Sequence, residues 1–223
     1  MDKNLFVQAI TKVTAGILLM VLLLFLPAGT LRYPGGLLLM ALLFIPMVIA
    51  GFVMIAKNPD LLRKRLQMKE EQMAQKQVVA LSGLMFIGGF VLSGLNFRYG
   101  WHTLPHWAVY GGAALFLLAY VLYAEVLREN TWLSRSIEVQ EGQQVVDTGL
   151  YGLVRHPMYF ATILLFLSMP LVLGSIHAFL LFLVYPLLLV KRISNEEDLL
   201  ERELPGYREY KKKVRWRMLP FIW

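Results

Sequence analysis

Residues 158–190 read MYFATILLFLSMPLVLGSIHAFLLFLVYPLLLV and contain no aspartate, glutamate, lysine or arginine. Gly174 and Ser175 divide this stretch into two apolar runs, Met158–Leu173 and Ile176–Val190. At about 15 or 16 residues and 1.5 Å per residue, each run would make roughly 23 Å of helix, which is short of a 30 Å hydrocarbon core. The stretch therefore predicts a tight helical hairpin with tilted or thinly immersed arms. Two ordinary spans with slightly different ends are the alternative.

Four further apolar runs precede the hairpin, and each approaches the roughly 20 residues that a membrane-spanning helix needs. They are Val13–Ala28, which extends back toward Leu5, then Pro34–Ala56, Val78–Phe97 and Pro105–Leu127. The chain of 223 residues is 57% hydrophobic and 17% charged, whereas soluble domains have about 45–50% apolar and about 25% charged residues. The sequence therefore predicts an all-α, polytopic integral membrane helical bundle of five to six transmembrane helices, the last two forming the hairpin.

The composition excludes several other classes of protein. Disordered chains are poor in apolar residues, and this chain is rich in them. The chain has no cysteine, which excludes a disulfide scaffold, a thiolate metal site and a cysteine nucleophile. His102 and His106 flank Pro105 without an HExxH motif, so no metal site is expected.

Small residues recur in the third apolar run, where they predict close helix packing. They are Gly83, Gly88, Gly89, Ser93 and Gly94. This run lies inside an apolar helix and not between a strand and a helix, so it is not a dinucleotide-binding fingerprint. No soluble nucleotide-binding domain is predicted.

The net charge of +7 is explained by membrane topology. If the N-terminus is inside and the runs alternate, only Arg32 and Arg98 of the 22 lysine and arginine residues fall outside. This asymmetry is typical of the positive-inside rule. All 15 acidic residues also fall on the inner side or at an inner helix end. We therefore expect an inner (cytoplasmic) membrane protein in contact with membrane lipid, with both termini in the cytoplasm and no nucleic-acid partner.

Two features of the inner side have both a structural and a functional interpretation. Asn58 and Pro59 are typical of a helix start. Residues 58–77 are therefore predicted to form an interfacial helix, which either anchors the topology or gates a substrate site. Glu125 and Arg128 share a helix face and form either a snorkelling surface pair or a substrate-binding wall.

The polar segment before the hairpin, Gln140–Tyr159, reads QEGQQVVDTGLYGLVRHPMY. Pro157 suits the first turn of a helix, whose free N–H groups and dipole would attract a carboxylate. Because the hairpin folds back on itself, its inner ends His156–Tyr159 and Arg192–Glu197 are expected to be neighbours. A solvated rim of charges that only holds the topology is the alternative.

The RHPxY motif at Arg155–Tyr159, followed by the apolar hairpin and Glu196-Glu197, resembles the signature of the isoprenylcysteine carboxyl methyltransferase family. That family is also similar to the small membrane phospholipid N-methyltransferases. The resemblance covers roughly Glu125–Trp223. It includes Arg128-Glu129-Asn130, Gly149-x-Tyr151 and the tail residues Tyr207, Tyr210, Val214 and Pro220. The sequence departs from the family pattern at Leu150, where relatives often have proline, and at Ala161, where they often have glycine.

The resemblance implies S-adenosylmethionine as methyl donor and S-adenosylhomocysteine as product, in a cytoplasmic cofactor pocket at the membrane surface. Carried over by position, the implied cofactor-binding residues are Gln140, Gln143, Gln144, Val145, Val146, Tyr151, His156, Pro157, Met158, Tyr159, Glu196 and Glu197. Arg192 would meet the substrate. We predict Arg192 and His156 as catalytic residues, and Arg192 with Glu125 as substrate-binding residues.

These residue types suit methyl transfer to a lipophilic acceptor that enters from the bilayer, a small molecule or a lipidated substrate. Acids and tyrosine faces attract the sulfonium and ammonium of the donor. A carboxylate acceptor is already ionised near pH 7 and needs no general base, so alignment in a dry pocket would supply most of the catalysis. An amine acceptor would have to lose a proton, with His156 or a glutamate as candidate base.

Methylation of an isoprenylcysteine-like carboxylate is the favoured function. A phospholipid or amine N-methyltransferase is the first alternative, followed by a transporter and by a non-catalytic family member. Nearly charge-free spans argue against a transporter.

We expect a single membrane domain over residues 1–223. Residues 1–127 would form four spans with the interfacial helix, and residues 128–223 a catalytic half. That half would comprise a cofactor loop (138–156), the helical hairpin (157–192) and a cytoplasmic tail (193–223).

Overall fold

The computed structural model describes residues 3–66, 73–133 and 138–223, and within these ranges the chain is all-helical. In chain order the helices are α1 (Lys3–Ala28), α2 (Pro34–Lys57), α3 (Pro59–Leu66), α4 (Met73–Tyr99), α5 (His106–Glu129), α6 (Pro157–Val172), α7 (Ile176–Phe182), α8 (Val184–Glu203) and α9 (Tyr207–Lys213), with a 3-10 turn at Gly149–Gly152. No β-strand occurs in the described ranges, although Thr103 and Ser175 pair in an isolated bridge.

Five of the described segments are long and apolar enough to cross a membrane: the main parts of α1, α2, α4 and α5, and the combined α7–α8 segment. This finding confirms the predicted polytopic membrane bundle. α6 is shorter, at 16 residues. Its length is about 24 Å, so it forms the short arm of the hairpin that the apolar run predicts.

The hairpin turn is built from two small residues, as expected. Gly174 has a φ of +70°, a conformation that costs glycine less than any other residue. Ser175 then caps α7, because its Oγ accepts a hydrogen bond from the Ala178 N–H at 3.3 Å.

The second arm of the hairpin differs from the prediction. The helix does not end at Lys191-Arg192 but continues as α8 to Glu203. Residues 191–203 contain no proline or glycine and are rich in glutamate and leucine, which favour helix. Pro205 and Gly206, the latter at a φ of +83°, follow the helix end. The extension places Arg192 and Glu196 one turn apart on the same helix, so the predicted tail 193–223 begins as helix.

Close helix packing in the third span is confirmed at two of the predicted small residues. A Cβ added at Gly89 would lie 2.2 Å from Phe182 Cε2, and one at Gly94 would lie 2.5 Å from the Leu24 carbonyl oxygen. Gly83, by contrast, has no neighbour within 4 Å of such a Cβ. Glycine is therefore needed where α4 meets α1 and α7, because a larger side chain would push the helices apart.

Aromatic rings join the hairpin to the rest of the bundle. The ring of Phe86 on α4 meets Phe166 on α6 edge-to-face at 4.6 Å and Phe182 on α7 at 5.3 Å. Phe166 also contacts Tyr185 on α8 at 4.7 Å. Such pairs contribute about 0.5–1.5 kcal/mol each beyond their buried area. They fix both arms of the hairpin against α4.

The predicted interfacial helix over residues 58–77 is present only in part. Asn58 caps α3, because its Oδ1 accepts a hydrogen bond from the Leu61 N–H at 3.2 Å. Residues 67–72 lie outside the described residues. From Met73 onward the chain belongs to α4, because no helix breaker separates residues 73–77 from the apolar run that follows.

The two ends of the bundle carry different chemistry. At the far end, the turn between α6 and α7 meets the start of α5, where the Leu104 N–H donates to the Gly174 carbonyl at 3.0 Å. At the other end, which we call the site end, the last turn of α5, the first turn of α6 and the charged part of α8 come together. The polar residues singled out in the sequence lie at the site end.

Candidate active site

The connection from α5 to α6 is held by a carboxylate at the end of α5. Glu129 Oε2 accepts a hydrogen bond from the Leu150 N–H at 2.9 Å. Gly149 has a φ of +51°, and a Cβ there would lie 1.4 Å from Glu129 Oε1. Only glycine leaves room for this contact, which fixes the 3-10 turn and the buried Tyr151 within it.

The hairpin's inner ends meet through a buried carboxylate, as the sequence predicted. Glu197 is 1% exposed, and its Oε1 lies 2.7 Å from Arg155 Nε and 3.2 Å from His156 Nε2. Its Oε2 lies 3.0 Å from Arg217 Nε. Removing one member of such a cluster leaves a buried charge without its partner, which is costly.

The C-terminal segment completes the cluster by pairing with the start of α6. The backbone N–H groups of Arg155 and His156 donate to the carbonyls of Trp216 and Arg217 at 2.9 and 2.8 Å. Arg155 Nη1 also donates to the Val214 carbonyl at 2.7 Å. The tail therefore forms the back of the site, a role for which the sequence has no local signal.

α9 packs over the 3-10 turn. The Tyr210 hydroxyl donates to the Tyr151 carbonyl at 2.7 Å, and burial raises the pKa of the Tyr210 phenol, so it stays protonated at neutral pH. At the surface, Lys213 Nζ lies 2.7 Å from Asp147 Oδ2, and this partner lowers the pKa of the Asp147 carboxyl.

A second acid–base arrangement lies at the hairpin mouth. The Tyr159 hydroxyl donates to Glu196 Oε2, and it accepts a hydrogen bond from Arg192 Nε at 3.0 Å. One buried phenol thus holds a carboxylate and a guanidinium side by side. Such a pair can present one group that attracts cations and one that attracts carboxylates.

These elements enclose a cavity of about 820 Å³, counting the space that is open to solvent. Ten predicted site residues line it: Gln143, Gln144, Val145, Val146, Tyr151, His156, Met158, Tyr159, Arg192 and Glu196.

The other four predicted site residues lie elsewhere. Glu197 lies behind the wall in the buried cluster, and Pro157 begins α6. Gln140 braces the loop, because its side-chain amide donates to the Trp132 carbonyl. Glu125 forms a bidentate pair with exposed Arg128 at 2.6 and 2.8 Å and is not among the cavity's lining residues.

Sequence reasoning assigned no role to nine further lining residues. They are Asn130, Trp132, Leu133, Glu138, Arg155, Leu200, Leu204, Tyr207 and Tyr210. Arg155, Asn130, Tyr207 and Tyr210 all lie in motifs of the resemblance, which was the available signal. Leu200 and Leu204 follow Glu196 at a spacing of one and two helical turns. A prediction that extended α8 to its observed end would therefore have placed them on the same side as Glu196.

Tyr207 lines the cavity, and its hydroxyl is buried without a hydrogen-bond partner among the described residues. Most buried polar atoms have such a partner. Within the described ranges, no group of three or more histidine, aspartate or glutamate side chains is placed to hold a metal ion.

Comparison with known proteins relates the chain to one methyltransferase family and to two sterol reductases. Residues 107–205 match the family described as phospholipid methyltransferase, which confirms the predicted resemblance. A Delta(14)-sterol reductase of Methylotuvimicrobium alcaliphilum is 26% identical over 137 residues, which are 55% of this chain and 32% of that protein. A Delta(14)-sterol reductase of Mus musculus is 31% identical over 91 residues, which are 40% of this chain and 22% of that protein. The chain thus spans about a third or less of the length of these curated relatives.

Proposed function

We propose that this chain, whose residues 107–205 match the phospholipid methyltransferase family, methylates a lipophilic acceptor with S-adenosylmethionine as donor. The acceptor group that we favour is a carboxylate of an isoprenylcysteine-like molecule, which would become a methyl ester. The observation that carries the proposal is the pairing of Glu196 and Arg192 on the Tyr159 hydroxyl at the cavity mouth. This pairing provides adjacent binding sites for a cationic methyl donor and an anionic acceptor.

The lining residues fit the methyl donor by charge and shape. When bound, S-adenosylmethionine supplies an electrophilic methyl group on a positively charged sulfur. Glu196 and the faces of Tyr151 and Tyr159 suit positive charge, and the start of α6 at Pro157–Met158 suits a carboxylate. The buried Tyr207 hydroxyl supplies a hydrogen-bond donor that the described part of the protein leaves unused.

Arg192 is the residue that we propose to orient the acceptor. Its Nε is held by the Tyr159 hydroxyl, so the side chain is positioned before any ligand arrives. A guanidinium binds a carboxylate in a fixed geometry. Since an ionised carboxylate needs no base, alignment and exclusion of water would be the main contributions of the protein.

The contacts of His156 argue against its use as a free general base. Its Nε2 faces Glu197, and its backbone N–H is bonded to the tail. We propose that His156 and Glu197 act by positioning the first turn of α6, which carries Met158 and Tyr159. This assignment replaces the direct cofactor contact that the resemblance implied for Glu197.

The orientation in the membrane and the roles of the two halves belong to the same proposal. We propose that the site end faces the cytoplasm, in agreement with the positive-inside asymmetry. We also propose that residues 128–223 carry the chemistry and that residues 1–127 supply the membrane scaffold and the acceptor's access from the bilayer.

The family description favours a second candidate, transfer to the amine of a phospholipid. Labelled methyl transfer to a panel of isoprenoid acids and amine lipids, followed by mild alkali, separates the two. A methyl ester releases labelled methanol, and a methylated amine does not. Retention of all transferred label in the lipid after alkali treatment would replace the carboxylate with an amine acceptor.

The curated relatives favour a third candidate, a reductase. A reductase needs a hydride donor such as a nicotinamide dinucleotide, whose phosphates require several cationic or N–H contacts. The described cavity lining contains two acids, Glu138 and Glu196, and two arginines, Arg155 and Arg192. Arg155 is already paired with Glu197, and the charges of Glu138 and Glu196 would oppose the phosphates of such a cofactor. Calorimetric titration with S-adenosylmethionine and with NADPH decides between them, and binding of NADPH alone would overturn the methyltransferase proposal.

A further inference from the structure

Tyr207 is one of the residues that line the cavity, and its hydroxyl is buried. Its side chain is 4% exposed, and the oxygen has no partner within the described part of the chain. A buried hydroxyl without a hydrogen bond costs free energy. The Tyr207 hydroxyl is therefore a hydrogen-bond donor that a ligand in the cavity could satisfy.

Tyr207 has apolar neighbours on one hand and charged neighbours on the other. Its ring packs with Leu204, Tyr210 and Val214, and the Tyr210 ring centroid is 5.7 Å away. Glu196 and Glu197 lie close enough to act on its phenol: burial first, and then these charges, raise the pKa of the Tyr207 hydroxyl. The group is therefore protonated at neutral pH and can donate a hydrogen bond.

The surroundings select the kind of acceptor that this hydroxyl can serve. Glu196 and Glu197 disfavour a carboxylate at this place, while Arg155, which is paired with Glu197, offsets part of their charge. The ammonium and sulfonium of a methyl donor do not accept hydrogen bonds. A neutral ring nitrogen or a sugar oxygen can accept the hydrogen bond, and a flat ring beside it would pack against the aliphatic and aromatic lining.

We propose that Tyr207 is a binding residue for the adenosine part of the methyl donor, to which its hydroxyl donates a hydrogen bond. This assignment rests on the proposed function. It gives a contact with the donor to α9, which also contributes Tyr210 to the cavity lining.

The test is Tyr207→Phe, which removes one oxygen and keeps the ring. We expect the dissociation constants of S-adenosylmethionine and of adenosine both to rise by about 3- to 10-fold, the usual range for one neutral hydrogen bond. The melting temperature of the ligand-free protein should stay the same or rise, because an unsatisfied buried hydroxyl has been removed.

Tyr120→Phe is the matched control. The Tyr120 hydroxyl donates to the Leu43 carbonyl at 2.8 Å inside the bundle, so its loss should lower the ligand-free melting temperature and leave the dissociation constants unchanged. The opposite pattern in the two variants separates ligand binding from structural support.

Three results would overturn the assignment. Equal donor affinity in wild type and Tyr207→Phe would overturn it while leaving the proposed function intact. A loss of donor affinity with unchanged adenosine affinity would move the contact to another part of the donor. A wild-type protein that binds neither S-adenosylmethionine nor adenosine would overturn the assignment together with the proposed function.

Discussion

Arg155 and Glu197, 42 residues apart in sequence, form a buried ion pair in which Nε lies 2.7 Å from Oε1. The pair joins Arg155, which lies two residues before α6 and lines the cavity, to Glu197 in the middle of α8, behind the cavity wall. Because Glu197 also meets His156 and Arg217, one carboxylate links both arms of the hairpin with the tail. The shape of the site depends on this link.

Glu197→Gln should destabilise the protein strongly. The change leaves Arg155 with an unpaired buried charge, which costs about 3–5 kcal/mol, or a fall in melting temperature of about 6–20 °C for a chain of this size. Thermal unfolding in detergent measures the effect. Asp198→Asn, the same chemical change at an exposed neighbour, is the control and should leave the melting temperature nearly unchanged. Equal melting temperatures for both variants and wild type would contradict the buried ion cluster.

Gly149→Ala should damage the cofactor loop, because its Cβ would collide with the Glu129 carboxylate. We expect donor affinity to fall at least about tenfold, or 1.4 kcal/mol, since Tyr151 moves with the turn. Gly142→Ala has a similar positive φ, +73°, but its Cβ has room, so only the backbone strain of about 1–2 kcal/mol is expected there. Titration of both variants with S-adenosylmethionine separates collision from strain. Similar affinities in the two variants would contradict the role of Glu129.

Tyr210→Phe should lower both stability and donor affinity. The lost bond to the Tyr151 carbonyl is worth about 1 kcal/mol, which corresponds to a decrease in melting temperature of about 2–4 °C. Paired measurements of melting temperature and dissociation constant check this. An unchanged melting temperature would mean that α9 does not hold the 3-10 turn. Tyr207→Phe, by contrast, should lower donor affinity without lowering the melting temperature. Comparing the two variants therefore separates a ligand contact from a structural contact.

Arg192→Lys should separate donor binding from acceptor use. Lysine keeps the charge but loses the planar fork and the Nε bond to Tyr159. We expect donor affinity to change by less than about threefold, while methyl transfer falls by about 10- to 100-fold, the cost of losing an oriented contact. Labelled transfer to the acceptor that the panel identifies measures the rate. A variant with wild-type transfer would remove Arg192 from the acceptor site.

The hairpin and its two inner ends were predictable, because an apolar stretch broken by Gly174-Ser175 has to bring its flanks together. The length of α8 was missed because the apolar pattern ends at Val190, whereas the helix continues on propensity and on contacts with α9 and the tail. The role of Glu197 was also out of reach. Its partner Arg217 is 20 residues further along the chain, and only the path of the tail brings the two together.

Glu196 illustrates the part of the site that the sequence did indicate. The adjacent acids look alike in sequence, but helical geometry turns them about 100° apart. Glu196 therefore faces the cavity with Tyr159, and Glu197 faces the tail. Local spacing predicts that the two differ, and tertiary structure decides which one meets the ligand.

The central claim is tested most directly by titrating the protein in nanodiscs with S-adenosylmethionine in a calorimeter, beside Glu196→Gln and the exposed control Glu203→Gln. We predict a dissociation constant on the order of micromolar for wild type and Glu203→Gln, and a value at least about tenfold higher for Glu196→Gln. No heat of binding with the wild-type protein, or equal affinity in all three, would contradict a methyl-donor site at the mouth of this hairpin.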